Sequence, residues 1–312
     1  MSYRLHAQET VEDGLRRIAA EQLQRALSGF DGGALDRHAA VHEARKCCKR
    51  LRGLLRLARN GLGGKVYRAE NASLRDAARR LSGLRDAEAL IETYDELDAH
   101  FGGGIDRRSI APVRRALTAR RQRLADQDAT FERRVSAFRA DLEAALRRVP
   151  SWGLANDEFA ALAAGLTRSY KRGRKAMATA YASPSPKRFH EWRKRVKYHR
   201  YHLELLQELW PRQLKARRSE VKRLGGMLGD DHDLAVLRAV LESESGSFGD
   251  ESARMLIDLA DRRRDTLRAG MLPLGHRVFA ERPKALVSRY EAYWHAWRKE
   301  ITADEVTARA AA

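Results

Sequence analysis

Cysteine is scarce: the only two in 312 residues, Cys47 and Cys48, are adjacent. Neighbours on a helix do not face each other, so no local disulfide is expected. The spacing fits no zinc-ligand pattern either. The pair is expected to pack as small apolar side chains in a reducing compartment. Proline is also scarce, with 7 residues, and no alternating apolar–polar run is long enough for a strand. That excludes a sheet-based fold. The N-terminal MSYRLHAQETVEDGL has no apolar signal core, and no run reaches the length of a membrane span. The expectation is a cytoplasmic protein that does not span a membrane. Gly225-Gly226 and Gly229 are not followed by Gly-Lys-Ser/Thr, which excludes a P-loop. Acidic charge is the minority: 42 Asp and Glu against 61 Lys and Arg, a net charge of +19. Such an excess costs self-repulsion and points to a polyanionic partner. Nucleic acid, polyphosphate and an anionic membrane surface all qualify.

What is present is helix-forming. Ala, Leu, Arg and Glu are abundant, and 43% of residues are hydrophobic, enough for a sizeable core. One stretch is written twice. Val41–Leu57, VHEARKCCKRLRGLLRL, recurs 148 residues later as Phe189–Leu205, FHEWRKRVKYHRYHLEL, with eight of 17 positions identical. The identities are mainly polar and basic, whereas core repeats usually preserve apolar positions. At ~100° per residue, His42, Arg45, Lys46, Lys49, Arg52 and Arg56 fall within an arc of roughly 120°. His190, Arg193, Lys194, Lys197 and Arg200 share the corresponding arc, and apolar residues take the opposite side. A solvated face would interleave acidic residues at i+3 or i+4. The first arc has none and the second only Glu204.

In chain order, helices are expected at Leu15–Leu27, capped by Thr10 or Asp13, then at Leu35–Asn60, Lys65–Leu81 and Leu84–Leu97. Ser109 should cap a single long stretch to Val149, and Pro150–Gly153 is the candidate hinge between halves. Helices then follow at Asp157–Tyr181 and through the His190 segment up to Pro211. Leu214–Leu228 corresponds to Tyr67–Leu81 at an offset of 147, and Leu228–Leu237 to Leu81–Leu90, with Asp86 matching Asp233. Glu251–Leu272 and Gly275–Glu300 close the chain, Pro283 kinking or restarting the last helix. The reading is an all-α fold of two pseudo-symmetric helical-bundle halves. One domain spans residues 4–300, with repeats at about 4–149 and 157–300 and a frayed tail at 301–312.

The pattern His-Glu-x-Arg-Lys-x-x-Lys-x-x-Arg in both halves, each followed by a Leu-rich segment ending in x-Asp-x-x-x-Leu, resembles the CHAD domain, the conserved histidine α-helical domain. Tyr170–Lys175 is similar to that family's lead-in to its second half. The resemblance covers nearly the whole chain and implies a basic central surface or pore that binds inorganic polyphosphate, in bacteria at polyphosphate granules. The implied binding positions are His42, Arg45, Lys46, Lys49, Arg52, His190, Arg193, Lys194, Lys197 and Arg200. Two departures stand out. Glu204 replaces the counterpart of Arg56, and His232 stands where family members often carry Asn. Some members also carry a triphosphate-tunnel domain with a Glu-x-Glu-x-Lys signature. The only Glu-x-Glu here is Glu242-Ser243-Glu244 in a loop, so no triphosphatase chemistry is expected.

The chemistry agrees with that implication. Arg offers a planar fork to phosphate oxygens and Lys a mobile point charge. A rigid helix presenting them every three or four residues holds an extended anion without base or sugar contacts. Arg56 extends the first row, and Arg75 with Lys222 forms a matched secondary pair at the 147 offset. A polyanion should favour the imidazolium forms of His42 and His190. His199 falls on the apolar side and His202 at its edge, and both are expected to be packed. Asp230-Asp231-His232-Asp233 resembles a metal-dependent phosphohydrolase motif, but the aligned Gly83, Leu84 and Arg85 are not ligands. No metal, cofactor or catalytic residue is assigned. Nucleic acid is the alternative polyanion. The five tryptophans do not interleave with the rows, and only Tyr198 and Tyr201 offer a stacking platform there. Oligomeric state is left open.

Overall fold

The computed structural model describes residues 3–31, 37–81, 84–102, 107–126, 130–244 and 248–310. Among them there are twelve α-helices, two short 3-10 turns and no strand. In order they are α1 (Val11–Ser28), α2 (Arg37–Leu57), α3 (Arg59–Leu62), α4 (Gly64–Arg80), α5 (Leu84–Phe101), α6 (Arg107–Asp126) and α7 (Phe131–Arg148). Then come α8 (Ala160–Ala182), α9 (Pro186–Leu205), α10 (Pro211–Ser243), α11 (Asp250–Val278) and α12 (Pro283–Ala310). The fold class is all-α.

The helix starts follow local chemistry. Thr10 caps α1, its hydroxyl accepting from the Asp13 N–H. Ser185 caps α9 by accepting from Arg188 N–H, and Pro186 occupies the first turn, where an amide proton is not needed. Pro211 and Pro283 begin α10 and α12 in the same way. Gly63, at φ 77°, divides α3 from α4 in a conformation that side chains resist.

Several expected boundaries shift. The single stretch predicted from Ser109 to Val149 is two helices, α6 and α7, and Ser109 lies inside α6 rather than capping it. α11 runs through Pro273 and Gly275 to Val278, so the break falls at 279–282 and Pro283 restarts the chain as α12. α12 stays helical to Ala310, past the fray expected from Ile301. The segments predicted at 214–228 and 228–237 form one unbroken helix, α10, of 33 residues and about 50 Å. Their first-half counterparts are divided between α4 and α5.

Pro150–Gly153, the candidate hinge, is tied to its surroundings by hydrogen bonds. Val149–Ser151 form a 3-10 turn, Arg16 donates to the Trp152 carbonyl, Leu154 N–H donates to Glu12, and Ala155 N–H donates to the Gly61 carbonyl. One continuous apolar cluster extends from α1 through α12. α2 and α9 lie against each other within it, and both touch α8. α10 packs along α9 and α11.

The α2–α9 contact is close because Gly53 has no side chain: a Cβ there would sit 3.1 Å from the Tyr201 side chain. His202 Nε2 bonds the Gly53 carbonyl at 3.1 Å. The contact is reciprocal in the repeat alignment. Position 50 of α2 pairs with 204 of α9 (Arg50–Glu204, 2.8 Å), and position 56 pairs with 198 (Arg56 over the Tyr198 ring, 4.0 Å). Arg50 aligns with Tyr198, and Arg56 with Glu204. Cys47 and Cys48 are both buried and free, and burial raises their thiols to about 11 and 12.

Candidate functional site

The first row reaches the second electrostatically: Lys49 acts on Lys197. Lys197 lies in a cleft of about 300 Å³ between α9 and α10, lined by Arg193, Lys197 and Arg200 from one side and Lys222 from the other. Gly225, Gly226 and Gly229 form part of the wall. A Cβ at Gly226 would meet nothing within 4 Å, and at Gly225 and Gly229 the nearest atoms lie 3.6 and 3.5 Å away. Three glycines one helical turn apart or less therefore leave the cleft floor without side chains. Sequence reasoning passed over that signal after rejecting a P-loop. Asp230 and Asp233 bound the cleft, Asp233 pairing with Arg193 at 3.6 Å.

Lys197 is the electrostatic centre. Burial, then Arg193, Lys49 and Arg200, lower its ammonium from the ordinary value to about 7, with Asp233 opposing weakly. A cationic group held half-neutral by burial and then by its like-charged neighbours is one that an incoming anion will recharge. That sets a pH dependence. In the free protein Lys197 loses its proton above about pH 7, and a bound polyanion raises its pKa. Binding therefore takes up a proton between pH 7 and the ordinary lysine range. Affinity for a long polyanion should fall by up to roughly tenfold per unit as pH rises from 7 to 9. Lys197→Arg should flatten the profile in a titration monitored at constant ionic strength. An unchanged slope would remove Lys197 from the site.

The other predicted residues are dispersed around this centre. Arg200 lies over the Tyr201 ring at 5.2 Å. Arg52 donates to Asn71 Oδ1 at 3.2 Å, and Arg45 to the Ala78 carbonyl at 2.9 Å. His42 and Lys49 are exposed. Lys46 bonds Glu43 at 2.9 Å, and Lys194 bonds Glu191. The rows are thus less free of acid than their arcs suggest, because Glu43 and Glu191, just off each arc, reach across at i+3. Glu204 turns instead to Arg50, away from the second row. Arg75 is exposed, held by Asp76 at 2.8 Å, and does not line the cleft with its partner Lys222. Arg56 leaves the row for the ring of Tyr198.

His190 is placed against His232, the two Nδ1 atoms 3.2 Å apart, so one ring donates and the other accepts. Burial and then Arg193 hold His232 at about 3; burial, Lys194 and Arg193 lower His190. His190 and His232 are therefore a neutral pair in the free protein, and the imidazolium expected at His190 belongs to the polyanion-bound state. His199 and His202 are buried, as expected from positions on and at the edge of the apolar side. Asp231 is fully buried between Arg264 (3.4 Å) and Arg268 (2.9 Å), a structural ion cluster. The Asp86 side chain lies outside the described residues. Among the described residues, no three His, Cys, Asp or Glu side chains converge as metal ligands. No described helix is long and apolar enough to cross a membrane.

A sequence profile of the CHAD domain matches residues 17–242. The chain belongs to the CHAD domain family. Both repeats, α2 and α9 with their rows, fall within the matched span. Two solved structures share the fold of this CHAD protein. PptA from Streptomyces chartreusis superposes with a TM-score of 0.61 at 17% identity, covering 88% of this chain and 100% of that one. The CHAD domain from the plant Ricinus communis gives 0.53 at 19% identity, covering 94% of each. No curated protein sequence matches the chain.

Proposed function

We propose that this CHAD protein binds inorganic polyphosphate along the cationic rows of α2 and α9, as a binding module rather than an enzyme, and associates with polyphosphate granules. Family membership supports a polyphosphate-related role. The observation that carries the binding reading is the cleft in which Arg193, Lys197, Arg200 and Lys222 converge over a glycine floor, with Lys49 close enough to depress Lys197. Polyphosphate carries about one charge per phosphate and no bases, so a narrow strip of forks and ammonium groups suffices to hold it.

The alternative, nucleic acid, needs aromatic surface for single strands. Tyr201 is buried, and Tyr198 is covered by Arg56. Neither ring is presented in the cleft, which supports a bare phosphate chain as ligand. The test is a competition. Labelled long-chain polyphosphate is bound at moderate salt, then challenged with single-stranded RNA and duplex DNA at equal phosphate concentration. Polyphosphate should remain bound, with affinity falling steeply as salt rises. Ready displacement by either nucleic acid, or affinity flat with salt, would overturn the reading.

A further inference from the structure

A second cationic cleft lies where α2, α3, α4, α8 and α9 meet. Five guanidinium groups line it, those of Arg56, Arg59, Arg168, Arg172 and Arg195, and no carboxylate is among the lining residues. Arginine elsewhere in this chain is commonly ion-paired. Here Arg56, Arg59, Arg168 and Arg172 have no ion pair among the described residues, and Arg195 alone reaches Glu191, at 3.2 Å on the rim. The like charges are felt: burial, with Arg52 and Arg195 nearby, lowers the Arg56 guanidinium, and burial with Arg195 and Arg168 lowers Arg172.

The aromatic walls explain how such a cluster persists. Arg56 lies over the Tyr198 ring at 4.0 Å and Arg59 over Tyr67 at 4.6 Å. Stacking occupies the face of a guanidinium and leaves its N–H edge for in-plane oxygen contacts; Arg56 already spends one of these on the Arg52 carbonyl, at 2.7 Å. The reciprocal end of the α2–α9 contact is built differently. There Arg50 is neutralised by Glu204 at 2.8 Å, which also approaches Arg218 at 3.9 Å. One end of the crossing is closed by a carboxylate, and the other keeps its cations open.

We propose that this Arg–Tyr cleft is a separate site for a compact phosphoanhydride group bearing several charges, a short polyphosphate or the end of a long one. It rests on the polyphosphate reading for the class of ligand, and on its own geometry for the place. The cleft itself holds about 20 Å³ of free space, about that of one water, so the group docks at its mouth, between the exposed Arg168 and Arg172, rather than inside it. An extended chain lies along the rows; a terminus, with its extra charge, belongs where the forks converge.

The test uses the full chain and tripolyphosphate as probe, with binding heats read by calorimetry. The Arg168→Ala/Arg172→Ala variant should lose roughly tenfold or more in affinity. Both side chains are exposed and unpaired, so its melting temperature should not fall. Arg168→Lys/Arg172→Lys, which keeps the charge but not the fork, should lose part of that affinity and serves as the test if the alanine variant misfolds. Arg193→Ala/Lys197→Ala should cost less tripolyphosphate affinity than Arg168→Ala/Arg172→Ala does. Absence of tripolyphosphate binding, an unaffected Arg168/Arg172 variant, or an equal loss in the Arg193/Lys197 variant would each overturn the site. A second arm separates the ligand sources: long-chain polyphosphate with blocked ends should ignore the Arg168/Arg172 substitutions, and an equal loss for blocked and free ends would contradict terminal recognition. Failure of the row reading looks different. Long-chain affinity would then survive Arg193→Ala/Lys197→Ala, whatever tripolyphosphate does.

Discussion

Replacing Arg193, Lys197 and Arg200 together by alanine is expected to lower the affinity for long-chain polyphosphate by at least about 100-fold. Each charge-assisted contact to a phosphate is worth about 1.5–3 kcal/mol, and about 1.4 kcal/mol is tenfold. Three losses, partly redundant, exceed two decades. The salt dependence should weaken too, the slope of log K against log salt falling by about 2 for three contacts to a single strand. Folding should survive. The three cations line one cleft and Lys197 is destabilised by the other two, so their removal relieves repulsion. Arg193 leaves behind only the partly exposed Asp233, its partner at 3.6 Å. Helical circular dichroism and the melting temperature distinguish the two outcomes. An unfolded variant would mean that the cations are structural, and a folded variant with unchanged affinity would place polyphosphate elsewhere.

Gly165→Ala is expected to destabilise the protein more than any surface substitution. α8 crosses α2 at this glycine, and a Cβ there would lie 1.9 Å from the Leu57 carbonyl oxygen and 2.6 Å from that of Arg56. Both obstacles are backbone, so no rotamer change relieves the clash. The helices must separate, and with them the buried Leu162 and Leu166 that flank the glycine. Overpacking of this kind costs about 3 kcal/mol or more. At roughly 2 °C or more per kcal/mol, the melting temperature should fall by about 6 °C or more. Gly153→Ala, where a Cβ meets nothing within 4 Å, is the matched control and should have little effect. Equal melting temperatures for the two variants would mean that α8 and α2 are not held this closely.

The helical class was legible because its signal is periodic and local, and because strands were absent from the pattern. The repeated rows were legible for the same reason: identities at polar positions of an amphipathic helix are hard to attribute to the core. What escaped the sequence is tertiary. The glycines at 225, 226 and 229 suggest a weak helix, each costing up to about 1 kcal/mol in a helix interior. Packing against α9 and α11 instead keeps α10 whole, and the missing side chains become a cleft floor. Glu43 and Glu191 fall outside the cationic arc by angle, yet their length lets them neutralise Lys46 and Lys194. Arg56 shares the arc by angle but is drawn to Tyr198 on another helix. Arg168 and Arg172 carried one faint sign, a basic stretch of α8 without acid at i±3 or i±4, which only the convergence of five helices turns into a cleft.

The central claim is that one bound polyphosphate chain spans both repeats, and lysine footprinting tests it most directly. With its ammonium near 7, Lys197 should acetylate faster than an ordinary lysine at neutral pH. Mass spectrometry would follow Lys49 and Lys197 with and without saturating long-chain polyphosphate, using the exposed Lys284 and Lys299 of α12 as internal references. The prediction is strong, simultaneous protection of Lys49 on α2 and Lys197 on α9, with the references unchanged. Protection of one row alone, or equal protection of Lys284 and Lys299, would contradict a single site built from the two repeats.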